Sequence, residues 1–168
     1  MAFKRVDNIV IENAQLIFRN FAGEGSMYNR DGNRNFCVFI DDDKYADKLA
    51  EEGWNIKMLK PRDEEEEPRY YIQVTVSYRN IPPKVYLVKN KSKKLMSEET
   101  IDILDYAEIA NTDLIIRPYS WEMNGNSGIK AYLKTMYVTL EEDEFASKYD
   151  FEDDDDPFEY LDDESLPF

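Results

Sequence analysis

Apolar residues in the first 140 positions occur in short runs that alternate with polar residues, which is the pattern of half-buried β-strands. The most regular run covers residues 69–79. One face of this predicted strand carries Tyr70, Ile72, Val74, Val76 and Tyr78. The other face carries Arg69, Tyr71, Gln73, Thr75, Ser77 and Arg79. The first set suits a core, and the second suits a solvent-facing surface with a cation at each end.

The same pattern predicts further strands along the chain. They cover residues 8–21 with a bend near Asn13, 35–41, 54–59, 84–89, 109–117 and 129–140. In the last of these, residues 133–136 disturb the alternation, which indicates a β-bulge. Turns are predicted at 89–94, where lysines cluster, and through the segment from Pro118 to Trp121 into the glycine-rich stretch 124–128.

Two short helices are predicted from their end signals. Three aspartates, 41–43, precede apolar residues at helical spacing, and Gly53 follows as a stop. Ser97 is expected to cap a second helix whose apolar positions are Ile101 and Leu104. A metal site at the aspartates is the less favoured interpretation, because no other cluster of ligands accompanies them.

The loop at residues 23–34 contains three glycines and connects two predicted strands, so it should be a mobile hairpin connection. Its side chains Tyr28, Arg30 and Arg34 make it a candidate binding loop. An ordinary polar hairpin tip explains the same residues equally well.

The number of strands, the intervening helix and the glycine-rich loops predict a mainly β protein with one or two short helices. We expect a five-stranded Greek-key barrel of the oligonucleotide-binding type, the OB-fold. A β-sandwich would give much the same pattern. One domain should span residues 1–149, and residues 150–168 should form a disordered acidic tail.

Charge separates the tail from the rest of the chain. Residues 1–140 hold twenty basic and twenty-two acidic side chains, a net charge of −2, whereas residues 141–168 hold one basic and fourteen acidic, a net charge of −13. Within the first part, residues 69–97 include seven basic side chains and no acidic one. This segment is therefore a positive stripe in a nearly neutral body.

Aromatic residues are interleaved with these cations, a combination typical of surfaces that bind single-stranded nucleic acid through phosphates and stacked bases. The predicted DNA-binding residues are Tyr28, Arg30, Arg34, Arg69, Tyr71, Arg79, Lys84, Tyr86, Lys89, Trp121, Lys130, Tyr132 and Lys134. For any single ring, packing in the core or against a neighbouring strand is an equally good explanation. The collective pattern is stronger, because the rings alternate out of phase with the aliphatic positions.

Several other functions are disfavoured by composition. The chain has no histidine and a single cysteine, Cys37, in an apolar run, so we expect no catalytic triad, no disulfide, no metal and no cofactor. A metal-dependent nuclease would have to rely on Asp113 and Glu122 and is the least favoured class. An acidic DNA mimic that blocks another protein's nucleic-acid site is the main alternative, but it leaves the positive stripe unexplained. No signal peptide or membrane span is expected, which favours the cytoplasm.

The end of the chain resembles the C-terminal tip of bacterial single-stranded DNA-binding proteins, in which acids precede an apolar residue, a proline and a final phenylalanine. The matching residues are Asp162, Asp163, Glu164, Leu166, Pro167 and Phe168. Ser165 departs from the pattern where that family usually has an acid. The resemblance implies a tip that binds replication proteins such as a polymerase, helicase or primase.

The body, taken together with this tip, resembles the phage-encoded single-stranded DNA-binding proteins that join an OB-fold to an acidic tail. The residues that carry this resemblance are the segment from Pro118 to Trp121 and residues 128–133. It implies a non-enzymatic protein that coats single-stranded DNA without strong sequence preference in replication, recombination and repair, in the host cytoplasm. The oligomeric state is left open, a homodimer included.

Overall fold

The computed structural model describes residues 5–79, 81–89 and 92–141. The predicted tail, including the six residues of the candidate partner-binding tip, lies outside these ranges. Within them the chain forms nine strand segments, one α-helix and one 3₁₀ helix. The strands are β1 (Ile9–Ile11), β2 (Leu16–Asn20), β3 (Arg34–Ile40), β4 (Ile56–Leu59), β5 (Arg69–Val76), β6 (Lys84–Lys89), β7 (Ser92–Met96), β8 (Ile109–Met123) and β9 (Asn126–Leu140). The helices are α1 (Asp43–Glu52) and a 3₁₀ turn at Ile101–Asp105.

All nine segments belong to one curved sheet. The main order is β1-β8-β9-β5-β3-β2, while β4 pairs with β5 and β6 pairs with both β7 and β9. The strands β5 and β6 follow one another along β9 and run parallel to it, since Thr75 pairs with Tyr132 and Lys84 pairs with Thr135. Residues 81–83, with two prolines that cannot continue a ladder, separate them.

The bend predicted in the first strand is present and brings the two edges of the sheet together. β1 pairs with β8 and β2 pairs with β3. Between them Asn13 adopts a left-handed conformation (φ 51°), which asparagine tolerates better than most residues, and its backbone N–H donates to Asp113 Oδ1 at 2.9 Å. Next to it, Ala14 N–H donates to the Thr112 carbonyl of β8 at 2.7 Å, and the Gln15 carbonyl accepts from Phe39 N–H of β3 at 3.2 Å.

The core fills the inside of this curved sheet. On β5 the predicted alternation is confirmed, because Ile72, Val74 and Val76 are buried. The rings of Phe21 and Phe36 stack at 5.1 Å in the same interior. These apolar side chains, removed from water together, stabilise the sheet on one side and leave its other side to solvent.

The predicted irregularity in the last strand is a bulge. Ile116 pairs with Leu133 and Ile115 pairs with Thr135, so Lys134 is the extra residue on β9. Because of this insertion, Leu133 and Met136 both point into the core although their spacing is odd. The side chains that face solvent therefore change phase along β9, from Lys130 and Tyr132 to Tyr137.

The aspartate triplet caps α1, as predicted. Asp42 is the N-cap, and its Oδ1 accepts from the backbone N–H of Lys44 at 3.0 Å and of Tyr45 at 3.3 Å. Gly53 ends the helix in a left-handed conformation (φ 113°). Ala46 and Leu49 anchor the helix against the sheet.

The expected turn at residues 118–121 is wrong, because this segment continues β8. β1 pairs with β8 only as far as Ile116, so beyond that point β8 is an edge strand on this side, where a proline is tolerated. The turn consists of Asn124 and Gly125 alone, both with positive φ (52° and 81°). This is the two-residue geometry that suits a hairpin.

Two smaller predictions are also corrected. Lys93 and Lys94, expected in a turn, lie on β7, which pairs with β6. The second helix is a 3₁₀ helix without a side-chain cap, and Ser97 instead donates its backbone N–H to Thr100 Oγ1 at 3.0 Å. Ile101 and Leu104 are buried as predicted.

The fold is therefore mainly β and of the OB type, in a partly open form. The nine segments exceed the five strands of the expected barrel. The difference has three causes. The first strand is split in two at its bend, and the strand parallel to β9 is split into β5 and β6. In addition, β4 and β7 extend the sheet at its sides.

Candidate nucleic-acid interface

The side of the sheet opposite the core carries three groups of rings and cations. We call them the β8–β9 cluster (Arg117, Tyr119, Lys130 and Tyr132), the β6–β9 cluster (Tyr86, Lys93 and Tyr137) and the β3–β5 cluster (Phe18, Phe39, Arg69 and Tyr71). Each combines aromatic faces with at least one cation, which are the two kinds of group that single-stranded DNA requires.

The β8–β9 cluster is built by cross-strand pairs. Arg117 pairs with Tyr132, and Tyr119 pairs with Lys130. The Arg117 guanidinium lies 4.8 Å from the centre of the Tyr132 ring, and Lys130 Nζ lies 5.2 Å from it. The Tyr119 ring, which is 55% exposed, meets the Tyr132 ring edge to face at 5.9 Å. Two cations and two rings thus lie together at a solvent-facing position.

The β6–β9 cluster follows from the parallel pairing of Tyr86 with Tyr137. Their rings stack with centroids 4.9 Å apart and planes 15° from parallel. Lys93 of β7 lies over both rings, with Nζ 4.6 Å from Tyr86 and 5.4 Å from Tyr137. This arrangement holds a cation at the outer face of a stacked pair.

In the β3–β5 cluster the cation is already engaged. The Arg69 guanidinium lies 3.5 Å from the centre of the Phe39 ring and also pairs with Asp41 at 2.8 Å. Phe18 meets Tyr71 edge to face at 5.9 Å. Phe18 has a positive φ (51°) at an irregularity in β2, and its ring is 61% exposed.

The glycine-rich loop presents Tyr28 and Arg30 to solvent, and Tyr28 is 94% exposed. Asn29 braces the loop, since its Nδ2 donates to the carbonyls of Glu24 at 2.8 Å and Asn33 at 3.0 Å. Arg34 differs from its neighbours, because it lies on the core-side parity of β3 and pairs with Glu98 at 3.0 Å.

Other predicted residues lie apart from the clusters or at their margins. Arg79 is exposed beyond the end of β5, Lys84 is exposed at the start of β6, and Lys89 is half-buried at its end. Lys134 is exposed at the bulge. Trp121 is 40% exposed and packs on Gly128.

Six residues on the outer side of the sheet were not among the predicted site residues, and one of them, Phe39, is buried beneath Arg69. They are Phe18, Phe39, Lys93, Arg117, Tyr119 and Tyr137. Tyr119 was hidden by the expected turn, and Tyr137 by the change of phase at the bulge. Arg117 could have been predicted from Tyr132, because Arg117 is the residue opposite Tyr132 when the two strands are paired outward from the hairpin turn.

The cysteine behaves as a buried strand residue. Burial raises the pKa of the Cys37 thiol to about 11, although the nearby charge of Lys57 acts in the opposite direction. The thiol is therefore protonated at neutral pH and is a poor nucleophile. In the part of the chain that the structure describes, no group of three or more cysteines and carboxylates could hold a metal ion. None of the helices found there is long and apolar enough to cross a membrane.

Comparison with known proteins identifies the family. A family model described as a putative phage ssDNA-binding domain matches residues 1–162. The chain belongs to this family. Members are DNA-binding domains by description, a non-enzymatic class. No curated protein matches the chain.

Solved structures of the single-stranded DNA-binding protein from bacteriophage Enc34 share the fold. The structure in complex with ssDNA has a TM-score of 0.55 at 17% identity and covers 81% of this chain and 88% of that chain. A second structure of the same protein has a TM-score of 0.53 at 16% identity and covers 81% of this chain and 82% of that chain. A C-terminal truncation of it has a TM-score of 0.51 at 17% identity, covering 81% and 87%. At these identities the likeness establishes the fold.

Proposed function

We propose that this protein binds single-stranded DNA on the outer face of its barrel, without strong sequence preference. The observation that carries the proposal is the gathering of rings and cations into three clusters on the one face that the core does not use. Membership of the phage ssDNA-binding domain family supports it, as does the shared fold of a protein whose structure is described in complex with ssDNA.

The chemistry needs only stacking and charge. A base placed on an exposed tyrosine contributes about 1–3 kcal/mol, whichever base it is, because every base has an aromatic face. Phosphates next to the stacked bases attract the cations that rest against those rings. Arg117 and Lys130 would turn from the Tyr132 ring toward the backbone, so one cluster would serve a base and its phosphate together.

Residues beyond the clusters extend the same surface. Tyr28 and Arg30 would close over the strand from the hairpin loop, while Arg79, Lys84, Lys89 and Lys134 would meet phosphates along its course, and Trp121 would stack with a base. For Arg34 we propose a supporting role at most, since Glu98 already neutralises it.

An equilibrium titration tests the proposal. Oligo-dT should quench the fluorescence of Trp121, which is partly exposed, while Trp54 is buried at 3% exposure. The logarithm of the binding constant should fall linearly with the logarithm of salt concentration, with a slope of about −0.7 for each phosphate neutralised. Absence of binding at any salt concentration would support the acidic-mimic alternative, and quenching independent of salt would contradict the role of the cations.

The acidic tail, residues 150–168, is proposed to compete with DNA for the same face. Its carboxylates and aromatic residues imitate phosphates and bases, and its tethering gives an effective concentration on the order of mM. DNA would displace the tail and free Leu166, Pro167 and Phe168, with Asp162, Asp163 and Glu164, to recruit a polymerase, helicase or primase. The protein would thus serve replication, recombination and repair in the cytoplasm of the host cell.

Removal of residues 150–168 separates the two roles. The shortened protein should bind oligo-dT more tightly at low salt, and this gain should shrink at high salt, where charge competition is screened. It should also lose binding to the replication partner. An unchanged affinity for DNA at low salt would contradict the competition.

A further inference from the structure

The sheet has a gap on its outer face where β5 and β9 diverge. On the edge of β5 that faces β9, Ile72 is the last residue paired with β4, and Thr75 is the residue paired with β9. Gln73 and Val74 between them have no paired residue on that edge. On the facing edge of β9, Ile129 forms a bridge with Trp54, and Tyr132 pairs with Thr75 of β5. Lys130 and Ala131, which lie between them, have no paired residue on this edge.

This gap opens into a cleft of about 470 Å³, a size in the range of small-molecule sites. Its apolar floor includes Ile72, Trp54, Ile129 and Ala131, all of them buried. The segment from Gly53 to Asn55 forms one wall and is fixed there, because Ile129 N–H donates to the Gly53 carbonyl at 3.0 Å. A pocket with one wall held by this hydrogen bond therefore interrupts the outer face of the sheet.

Trp121 provides an aromatic wall for this cleft. The absence of a side chain at Gly128 allows the indole to lie against the β9 backbone, since a Cβ there would be 3.0 Å from the Trp121 Cζ2 atom. The ring is held on one side and 40% exposed. An aromatic plate fixed beside an apolar floor suits the flat face of a nucleobase.

The polar groups around the cleft are available to a ligand. Asn55, Gln73, Thr75 and Ser127 line it, and their side chains form no hydrogen bond with any described residue. Amide side chains each offer a donor and an acceptor, which is the combination that reads the polar edge of a base. Stacking alone would need none of these groups.

We propose that this cleft receives one unstacked base of the bound strand, with Trp121 against its face and Gln73 and Asn55 at its polar edge. The inference rests on the proposed binding of single-stranded DNA and adds to it a base preference confined to one position. Elsewhere along the outer face, contact through rings and phosphates remains indifferent to sequence.

Homopolymers test the cleft, because every register then places the same base in it. Binding of oligo-dT, oligo-dC and oligo-dA is measured for the wild type, for Gln73→Leu and for Asn55→Leu. The self-stacking of each oligonucleotide cancels when the affinity of a variant is divided by that of the wild type. The proposal predicts unequal losses, differing by about fivefold or more between the most and least affected homopolymer.

The control is Asn8→Leu, which changes an exposed amide before β1, away from the cleft, and should leave all three affinities unchanged. Equal losses on the three homopolymers, or no loss, in both cleft variants would overturn the base-reading role while leaving single-stranded DNA binding intact. A wild type that binds none of the homopolymers would overturn the proposed function itself, and the inference with it.

Discussion

The β8–β9 and β3–β5 clusters contain the same kinds of residue but differ in what holds their cations. Arg69 of the β3–β5 cluster pairs with Asp41 at 2.8 Å and receives further support from Gln15 Oε1 at 3.2 Å. Arg117 and Lys130 of the β8–β9 cluster contact the Tyr132 ring, and neither forms an ion pair with a carboxylate of any described residue.

This difference indicates which cations are available to phosphate. A phosphate that binds Arg69 must first displace Asp41 or share the guanidinium with it, whereas one that binds Lys130 displaces only a ring contact and water. We therefore expect the β8–β9 cluster to contribute more to binding than the β3–β5 cluster, although each has an aromatic pair.

The largest expected effect comes from removing one aromatic ring from each of the two clusters and comparing the losses in DNA affinity. Tyr132→Ala should weaken oligo-dT binding by about 1–3 kcal/mol, because it removes a stacking surface and the platform for two cations. Tyr71→Ala should weaken it less. The measurement is fluorescence titration at one salt concentration. Tyr106→Ala serves as the control, since this tyrosine is 80% exposed and lies outside all three clusters; equal losses in the three variants would refute the comparison.

A smaller effect is expected from removing one cation from each cluster and comparing the changes in the salt dependence of DNA binding. Lys130→Gln should reduce the magnitude of the salt slope by about 0.7, the value for one lost phosphate contact. Arg69→Gln should reduce it by less, because Asp41 already neutralises that side chain. Log–log plots of affinity against salt concentration measure both.

The control for this pair is Asp41→Asn, which should release Arg69 without disturbing the helix cap at the neighbouring Asp42. If the ion pair is what restrains Arg69, this variant should bind oligo-dT slightly more tightly than the wild type, as expected for the loss of an exposed ion pair and one negative charge. A weaker affinity would indicate that Asp41 positions Arg69 for DNA.

The sequence predicted the parts of the fold that follow from local patterns. The alternation of β5, the cap at Asp42 and the stop at Gly53 each depend on residues that lie close together in the chain. The bend at Asn13 and the bulge at Lys134 were also visible as local irregularities. The segment from Pro118 to Trp121 was misread because proline is a strong turn signal, and only the sheet shows that β1 ends before it and leaves an edge that accepts proline.

The candidate site was harder to predict than the fold, because it depends on which residues become neighbours across strands. Tyr86 was chosen from its own strand, but its stacking partner Tyr137 lies beyond the bulge, where the alternation changes phase. Arg34 was chosen for its charge and its place in a loop, but its position on β3 turns it toward Glu98. Whether a cation is neutralised cannot be read from local spacing when its partner is sixty-four positions away along the chain.

Photo-crosslinking tests the central claim most directly, because it identifies the residues that touch the bases. Oligo-dT containing 5-bromodeoxyuridine is irradiated with the full-length protein, and the crosslinked residues are identified by mass spectrometry. The account predicts crosslinks to the outward rings, above all Tyr119, Trp121 and Tyr132. Crosslinks confined to Tyr45 on α1 and Tyr106 beside the 3₁₀ helix, with none on the outer face of β8 and β9, would contradict it.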